Sequence, residues 1–185
     1  MALTKPLKGK RIYLREVKLT DVNDRYVSWL NDSEVTRYLE VRFHPQNLDT
    51  IAGFVAKMRE SENEFLYAIC LSSNDQHIGN IKLGPVNAHH RSADVSLFIG
   101  EKKCWGQGYA AEAIGLVTRF AFRELGLNKL RAGCYAGNEG SARAFERVGY
   151  RREGLLRGQV LCDGKETDVI TLGLRAVEYR EEANR

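Results

Sequence analysis

Hydrophobic positions recur along this chain with two periods, and the switches between them mark out its elements. Arg11 to Val17 alternates, with Ile12 and Leu14 on one face, and predicts a strand. Thr20 can cap a helix whose apolar positions Val22, Tyr26, Trp29 and Leu30 follow the spacing of one buried stripe. A second helix is predicted to begin near Asp49, with Ile51, Phe54, Val55 and Met58 on its inner side. The apolar run Phe65 to Leu71, the turn Ser72-Ser73-Asn74-Asp75 and a strand near Ile78 to Leu83 follow. Ala93 to Gly100 alternates again, setting Ala93, Val95, Leu97 and Ile99 against Asp94, Ser96 and Phe98.

The period then lengthens. Gly106-Gln107-Gly108 precedes a long helical pattern through Ala110, Ala113, Ile114, Val117, Ala121 and Leu125, closed by Gly126 as a left-handed cap. Lys129 to Ala136 predicts a strand, and Asn138 opens a short helix that ends at Gly149. Tyr150 to Cys162 and Glu166 to Leu174 flank Asp163-Gly164, a two-residue hairpin signal. Strands and helices thus mix along one stretch with no repeat and no linker, which predicts a single mixed α/β domain over residues 1–185.

Composition narrows the function classes. The 185 residues and 43% hydrophobic content suit one globular core and exclude disorder. The longest charge-free stretch, Phe65 to Asn74, is half of the about 20 residues a membrane helix needs. Met1 to Lys8 carries charge without an apolar run, so no signal peptide is expected and the cytoplasm is the expected location. Cys70, Cys104, Cys134 and Cys162 are too widely spaced for a zinc site or a disulfide scaffold, so reduced structural thiols and no metal are expected. The net charge of +4 is too small to announce nucleic acid. It is uneven, however: from Arg143 to Lys165 six basic residues face three acidic ones. That cluster reads either as a solvated face or as a landing site for a small polyanion.

The glycine turn carries the chemistry. A strand that ends in glycines and starts a helix gathers free N–H groups and the positive end of the helix dipole at one point. Gly106-x-Gly108-x-x-Ala111 therefore fits a pyrophosphate. A dinucleotide-binding fold would need an acid about 20 residues on to hold a ribose, and the next strand ends in Cys134-Tyr135-Ala136 without one. Lys103-Cys104-Trp105-Gly106-Gln107-Gly108-Tyr109-Ala110 instead resembles the acyl-CoA signature of the GNAT superfamily of N-acetyltransferases, (Gln/Arg)-x-x-Gly-x-(Gly/Ala). Trp105 to Ala113, the segment Asn138-Glu139-Gly140-Ser141 with Phe145 and Gly149-Tyr150, and Arg152-Glu153-Gly154 with the Asp163-Gly164 hairpin are similar to the RimJ/RimL-like branch. The resemblance runs from Lys10 to Leu174 in the right element order.

It implies the GNAT fold, with a central twisted, mostly antiparallel sheet splayed at the cofactor site and flanked by helices. It also implies acetyl-CoA as co-substrate, with no metal. Phe98 and Ile99 would pair with the pantetheine arm, and the amides of Lys103, Cys104, Trp105, Gly106, Gln107, Gly108, Tyr109 and Ala110 would hold the pyrophosphate. Asn138 would hydrogen-bond the pantetheine, or simply cap its helix, and Arg143 and Arg147 would meet the ribose phosphate. The chemistry expected is direct attack of an amine on the thioester. Asp94 is the candidate base, with His89 and His90 as lesser candidates. The sequence departs from the broad pattern where a tyrosine usually follows the asparagine by seven positions, because Phe145 stands there. Ser141 is then the residue expected to aid the departing thiolate, with Tyr135 and Tyr150 as substitutes.

The acceptor would be chosen by Trp29 to Phe43, where Asp32, Glu34 or Glu40 could attract a cationic amine. The favoured partner is a protein N-terminus, as for RimJ/RimL-like enzymes. A small amine (polyamine or amino sugar) and a non-catalytic acyl-CoA-binding module are the alternatives. A homodimer through an edge strand of the hairpin is possible on this reading.

Overall fold

The computed structural model describes residues 5–180; Met1 to Thr4, which belong to the leader expectation, and residues 181–185 lie outside the described residues. Eight strands are β1 (Leu7–Lys8), β2 (Ile12–Glu16), β3 (Phe65–Leu71), β4 (His77–Leu83), β5 (Ser92–Ile99), β6 (Lys129–Tyr135), β7 (Arg151–Cys162) and β8 (Lys165–Arg175). They form one sheet in the order β1-β2-β3-β4-β5-β6-β8-β7. The helices are α1 (Asp24–Asn31), α2 (Ser33–Thr36), α3 (Leu48–Glu60), α4 (Tyr109–Arg123) and α5 (Glu139–Glu146). No helix among the described residues is long and apolar enough to cross a membrane.

Alternation along the strands sends side chains to two cores. Ile12, Leu14, Tyr67, Ile69 and Ile81 pack with Ile114, Val117 and Ala121 of α4 on one face. Ala68 and Cys70 point to the other, where Tyr26 and Trp29 of α1 meet Ile51 and Val55 of α3. All four cysteines are buried and free, and burial pushes the thiols of Cys70, Cys104 and Cys134 up, so they pack as small apolar groups.

One helix start differs from the sequence expectation. Asn23, not Thr20, caps α1, its side chain accepting from the Tyr26 amide at 3.1 Å. Thr20 instead lies in the 3-10 turn Leu19–Asp21. That turn is pinned because Asp21 accepts two hydrogen bonds from Arg15, both 2.7 Å, and one from the Lys18 amide, also 2.7 Å. Asn47 caps α3, which turns Ile51, Val55 and Met58 inward but leaves Phe54 44% exposed. The sequence pattern contains no period for α2 or for the 3-10 turn Glu40–Phe43, which are too short to show one. At the hairpin, Asp163 (φ +51°) and Gly164 (φ +74°) are both left-handed, the geometry of the turn their residue types announce.

One irregularity organises the molecule. Every neighbouring pair is antiparallel except β5 and β6, which run parallel and are joined only at Ser92, Ala93 and Asp94 opposite Lys129, Leu130 and Arg131. Beyond Asp94, β5 stays with β4 through Ile99, while β6 stays with β8 through Tyr135. The sheet forks there. At its far edge β7 is exposed, and register shifts after Arg152 and after Leu156 interrupt its ladder with β8. Such bulges, with the charges of Arg151 to Glu153, blunt an edge against pairing with another chain.

Candidate functional site

A cleft of about 510 Å³ opens at the fork. Leu97, Phe98 and Ile99 of β5 form its floor, and Gly106, Gly108 and Tyr109 lie on one side. Asn138, Ser141, Arg143 and Arg147 of α5 lie on another, and Glu34, Val35, Tyr38 and Leu39 close it opposite. A second cavity of about 440 Å³, walled by Val17, Met58 and Phe65, shares no residue with the cleft.

The glycine loop presents fewer free amides than the sequence suggests. The amides of Cys104 and Trp105 donate to the carbonyls of Glu101 (2.9 Å) and Lys102 (3.0 Å), closing the 3-10 turn Lys102–Cys104. Those two amides are therefore engaged, and Lys103 sits within the same turn. Gly106 (φ +72°) and Gly108 (φ +83°) adopt left-handed backbone that a side chain would strain. Gly108 caps α4, whose first helical bond runs from the Glu112 amide to the Gly108 carbonyl at 3.1 Å. The amides just ahead of Glu112 are orphans of the helix start, at the positive end of its dipole. Trp105 ties the loop to the floor: its indole N–H donates to the Ile99 carbonyl at 2.8 Å.

On α5, the Asn138 side-chain oxygen accepts from the Ser141 amide at 3.2 Å, so capping takes the oxygen and leaves the NH₂ able to donate. Ser141 is half-buried on the cleft. The basic cluster divides by partner. Arg152 pairs with Glu139 and Glu146, both at 2.8 Å, and Arg151 with Glu178 at 3.4 Å. Arg143 and Arg147 are exposed on the cleft rim and make no salt bridge among the described residues.

The opposite wall is held by side chains. Asp32 caps α2 and pairs with Lys102 at 2.7 Å, which holds its carboxyl below the usual carboxylate range. Lys102 also pairs with Glu34 at 2.6 Å, so one ammonium is shared between two carboxylates, of which Glu34 lines the cleft. Tyr38 donates to the Gly137 carbonyl at 3.2 Å. Behind it Tyr135 donates to Glu40 and accepts from Arg42 at 3.0 Å. Burial and the Glu40 carboxylate raise the Tyr135 phenol, which stays protonated.

Several candidates lie elsewhere. Asp94 stands at the paired end of the fork, bonded to Arg131 at 3.0 Å and outside the cleft lining. The alternation that made it face a site also brought it opposite Arg131 across the parallel ladder. His89 and His90 occupy an exposed turn before β5. Tyr150 is buried, bonded to Thr118 at 3.1 Å and raised by that burial, away from the cleft. Phe145 is buried against Tyr150, ring centroids 5.0 Å apart, and belongs to the core rather than the cleft. Sequence reasoning missed Arg11 and Glu112, whose contact spans a hundred residues and leaves no local spacing.

A forked strand, a glycine turn at a helix start and a capping asparagine border one cleft, and comparison with known proteins gives the family. Residues 11–151 match the acetyltransferase (GNAT) domain family. The chain belongs to the GNAT family and is an N-acetyltransferase. The chain of this acetyltransferase is 29% identical over 167 residues to "Probable N-acetyltransferase YjcK" of Bacillus subtilis (strain 168), covering 85% of this chain and 90% of that one. It is 22% identical over 157 residues to alpha/beta-tubulin-N-acetyltransferase 9 of Homo sapiens, covering 79% and 75%. The fold matches the spermidine N-acetyltransferase from Vibrio cholerae solved with CoA and spermine (TM-score 0.82, 21% identity, covering 92% of this chain and 99% of that one). Among the described residues no cluster of three His, Cys, Asp or Glu is arranged to hold a metal ion.

Proposed function

We propose that this N-acetyltransferase takes its acetyl group from acetyl-CoA lying in the fork and passes it to the α-amine of a protein N-terminus. The chain's own groups suit that donor. The amides from Gly106 to Ala110 match a pyrophosphate, Arg143 and Arg147, which make no salt bridge among the described residues, offer charge for the ribose phosphate, and the β5 edge freed by the fork offers backbone groups to the pantetheine amides. In the transfer, the neutral amine nitrogen bonds to the thioester carbonyl carbon, the C–S bond breaks, and the proton shed by the nitrogen is balanced by protonation of the departing sulfur to give free CoA thiol. A backbone N–H of β5 would stabilise the oxyanion without reorganising, and the Ser141 hydroxyl would hydrogen-bond the departing thiolate.

One observation carries the choice of acceptor: among the described residues the one carboxylate lining the cleft, Glu34, is already held by Lys102. Asp94 and both histidines lie outside the cleft. An α-amine, with a pKa of about 7.7–8.0, is roughly 10–17% neutral at pH 7, whereas a lysine-like amine near 10.4 is neutral in only about one part in 2,500, so the α-amine depends far less on a base. The human relative's printed name gives a protein as its acceptor, which agrees.

The test is thiol release from acetyl-CoA with peptides bearing a free N-terminus, the same peptides blocked at the N-terminus but carrying lysine, spermidine, and amino sugars. The free α-amine is expected to react fastest, with mass spectrometry locating the acetyl group on the first residue. Faster turnover of spermidine, or acetylation of lysine in the blocked peptides, would refute the assignment.

A further inference from the structure

The cradle is held from outside by a residue near the beginning of the described chain. Arg11, just before β2, donates from its Nε to Glu112 Oε2 at 3.0 Å and from Nη1 to the Gln107 carbonyl at 2.8 Å. The amides of Arg11 and Ile12 donate to the other Glu112 oxygen at 2.8 and 3.3 Å. The guanidinium also lies over the Tyr109 ring, 4.7 Å from its centroid. The approach is close enough that a Cβ at Gly9 would meet Glu112 Oε1 at 2.6 Å and the Ile12 carbonyl at 2.9 Å.

We infer that Arg11 is the positioning residue of the phosphate cradle. In a trans peptide the C=O and the following N–H point to opposite sides. Arg11 lies outside the cleft lining and pins the Gln107 carbonyl toward itself, which turns the Gly108 N–H the other way, on the side where Gly108 lines the cleft. The same planar fork grips Glu112 in the first turn of α4 and so couples loop and helix. Only a guanidinium can do both at once, because an ammonium lacks the fixed two-sided donor geometry. This inference rests on acetyl-CoA as donor, and it assigns Arg11 to the pyrophosphate end alone.

That restriction supplies the experiment. Steady-state kinetics of Arg11→Ala, Arg11→Lys and Glu112→Gln would be compared for acetyl-CoA and for S-acetylpantetheine, a thioester without the pyrophosphate. Both Arg11 variants are expected to raise KM for acetyl-CoA about tenfold with kcat nearly unchanged, with Glu112→Gln changing it in the same direction. Their kcat/KM for S-acetylpantetheine should equal the wild-type value, which also reports an intact fold. Equal losses with both donors, or full rescue by lysine, would overturn the inference. A wild type that uses acetyl-CoA, with Arg11 variants matching it, overturns the inference alone. A wild type that neither binds nor uses acetyl-CoA overturns the donor reading first.

Discussion

The two walls of the cleft are made of different material. The donor wall is main chain: left-handed glycines at 106 and 108, the orphan amides of α4 and a strand edge freed by the fork. The acceptor wall is side chain: Lys102 bridging Asp32 and Glu34, Tyr38 on Gly137, and Tyr135 between Glu40 and Arg42. Backbone recognition depends on φ and ψ, so it tolerates almost any side chain at its non-glycine positions and almost none at its glycines. Side-chain recognition reverses this, because each ion pair can be changed without moving the fold. On the proposed reading, donor identity belongs to one wall and acceptor identity to the other.

Breaking the donor wall is expected to have the largest effect. Gly108→Val places a β-branched side chain at φ +83°, where strain of about 1–3 kcal/mol must distort the loop. Acetyl-CoA affinity, read by calorimetry, should fall roughly 10- to 100-fold with the fold retained. Next in size, Ser141→Ala should lower kcat about tenfold by removing one hydrogen bond to the leaving thiolate, with acetyl-CoA affinity unchanged. Equal losses in affinity and kcat would move Ser141 from chemistry to structure. Arg143→Ala should raise KM for acetyl-CoA by a few-fold and lose that effect at high salt, as an exposed charge must. On the acceptor wall, Lys102→Ala frees Glu34 and Asp32 and should improve spermidine as an acceptor by a similar few-fold factor, leaving KM for acetyl-CoA untouched. If it shifts acetyl-CoA instead, the division between the walls fails.

The smallest effect concerns the support beneath the cleft. His77 is buried on β4, its Nε2 2.7 Å from Asn80 Oδ1, with its ring against Trp29. Burial lowers its pKa, so the folded state keeps it neutral where the unfolded chain takes a proton. Its contribution is complete above the unfolded value of about 6.5 and is lost as pH falls below it. Melting temperature should therefore decline between pH 6.5 and 5, and His77→Gln should flatten that decline. An unchanged slope would exclude His77 as its source.

The legible parts of this molecule share a physical cause. Long elements with a steady period, such as α4 and β5, announce themselves, and so do turns that demand left-handed backbone, Gly106, Gly108 and Asp163-Gly164. The fork could not be read from β5, because Val95 to Ile99 alternates whether or not a neighbour pairs with it. Asp94 illustrates the same blindness: its face of the strand was legible, but Arg131 opposite it depends on a parallel register set across the intervening helix. Arg11 and Glu112, with the Tyr135–Glu40–Arg42 group, depend on contacts between residues about a hundred positions apart. No local spacing encodes such contacts. Phe145 shows the opposite case, a departure from the family pattern that looked chemical and proves to be packing.

The central claim, that the forked strand and the glycine cradle form the donor site, is tested most directly by following backbone amide resonances while CoA is added to the labelled protein. The largest shifts are expected on Phe98, Ile99 and Gly106 to Ala110, while Asp94 and Leu155 stay still. Saturable shifts confined to the separate cavity beside Met58 and Phe65, with the Gly106 to Ala110 amides unmoved, would contradict it.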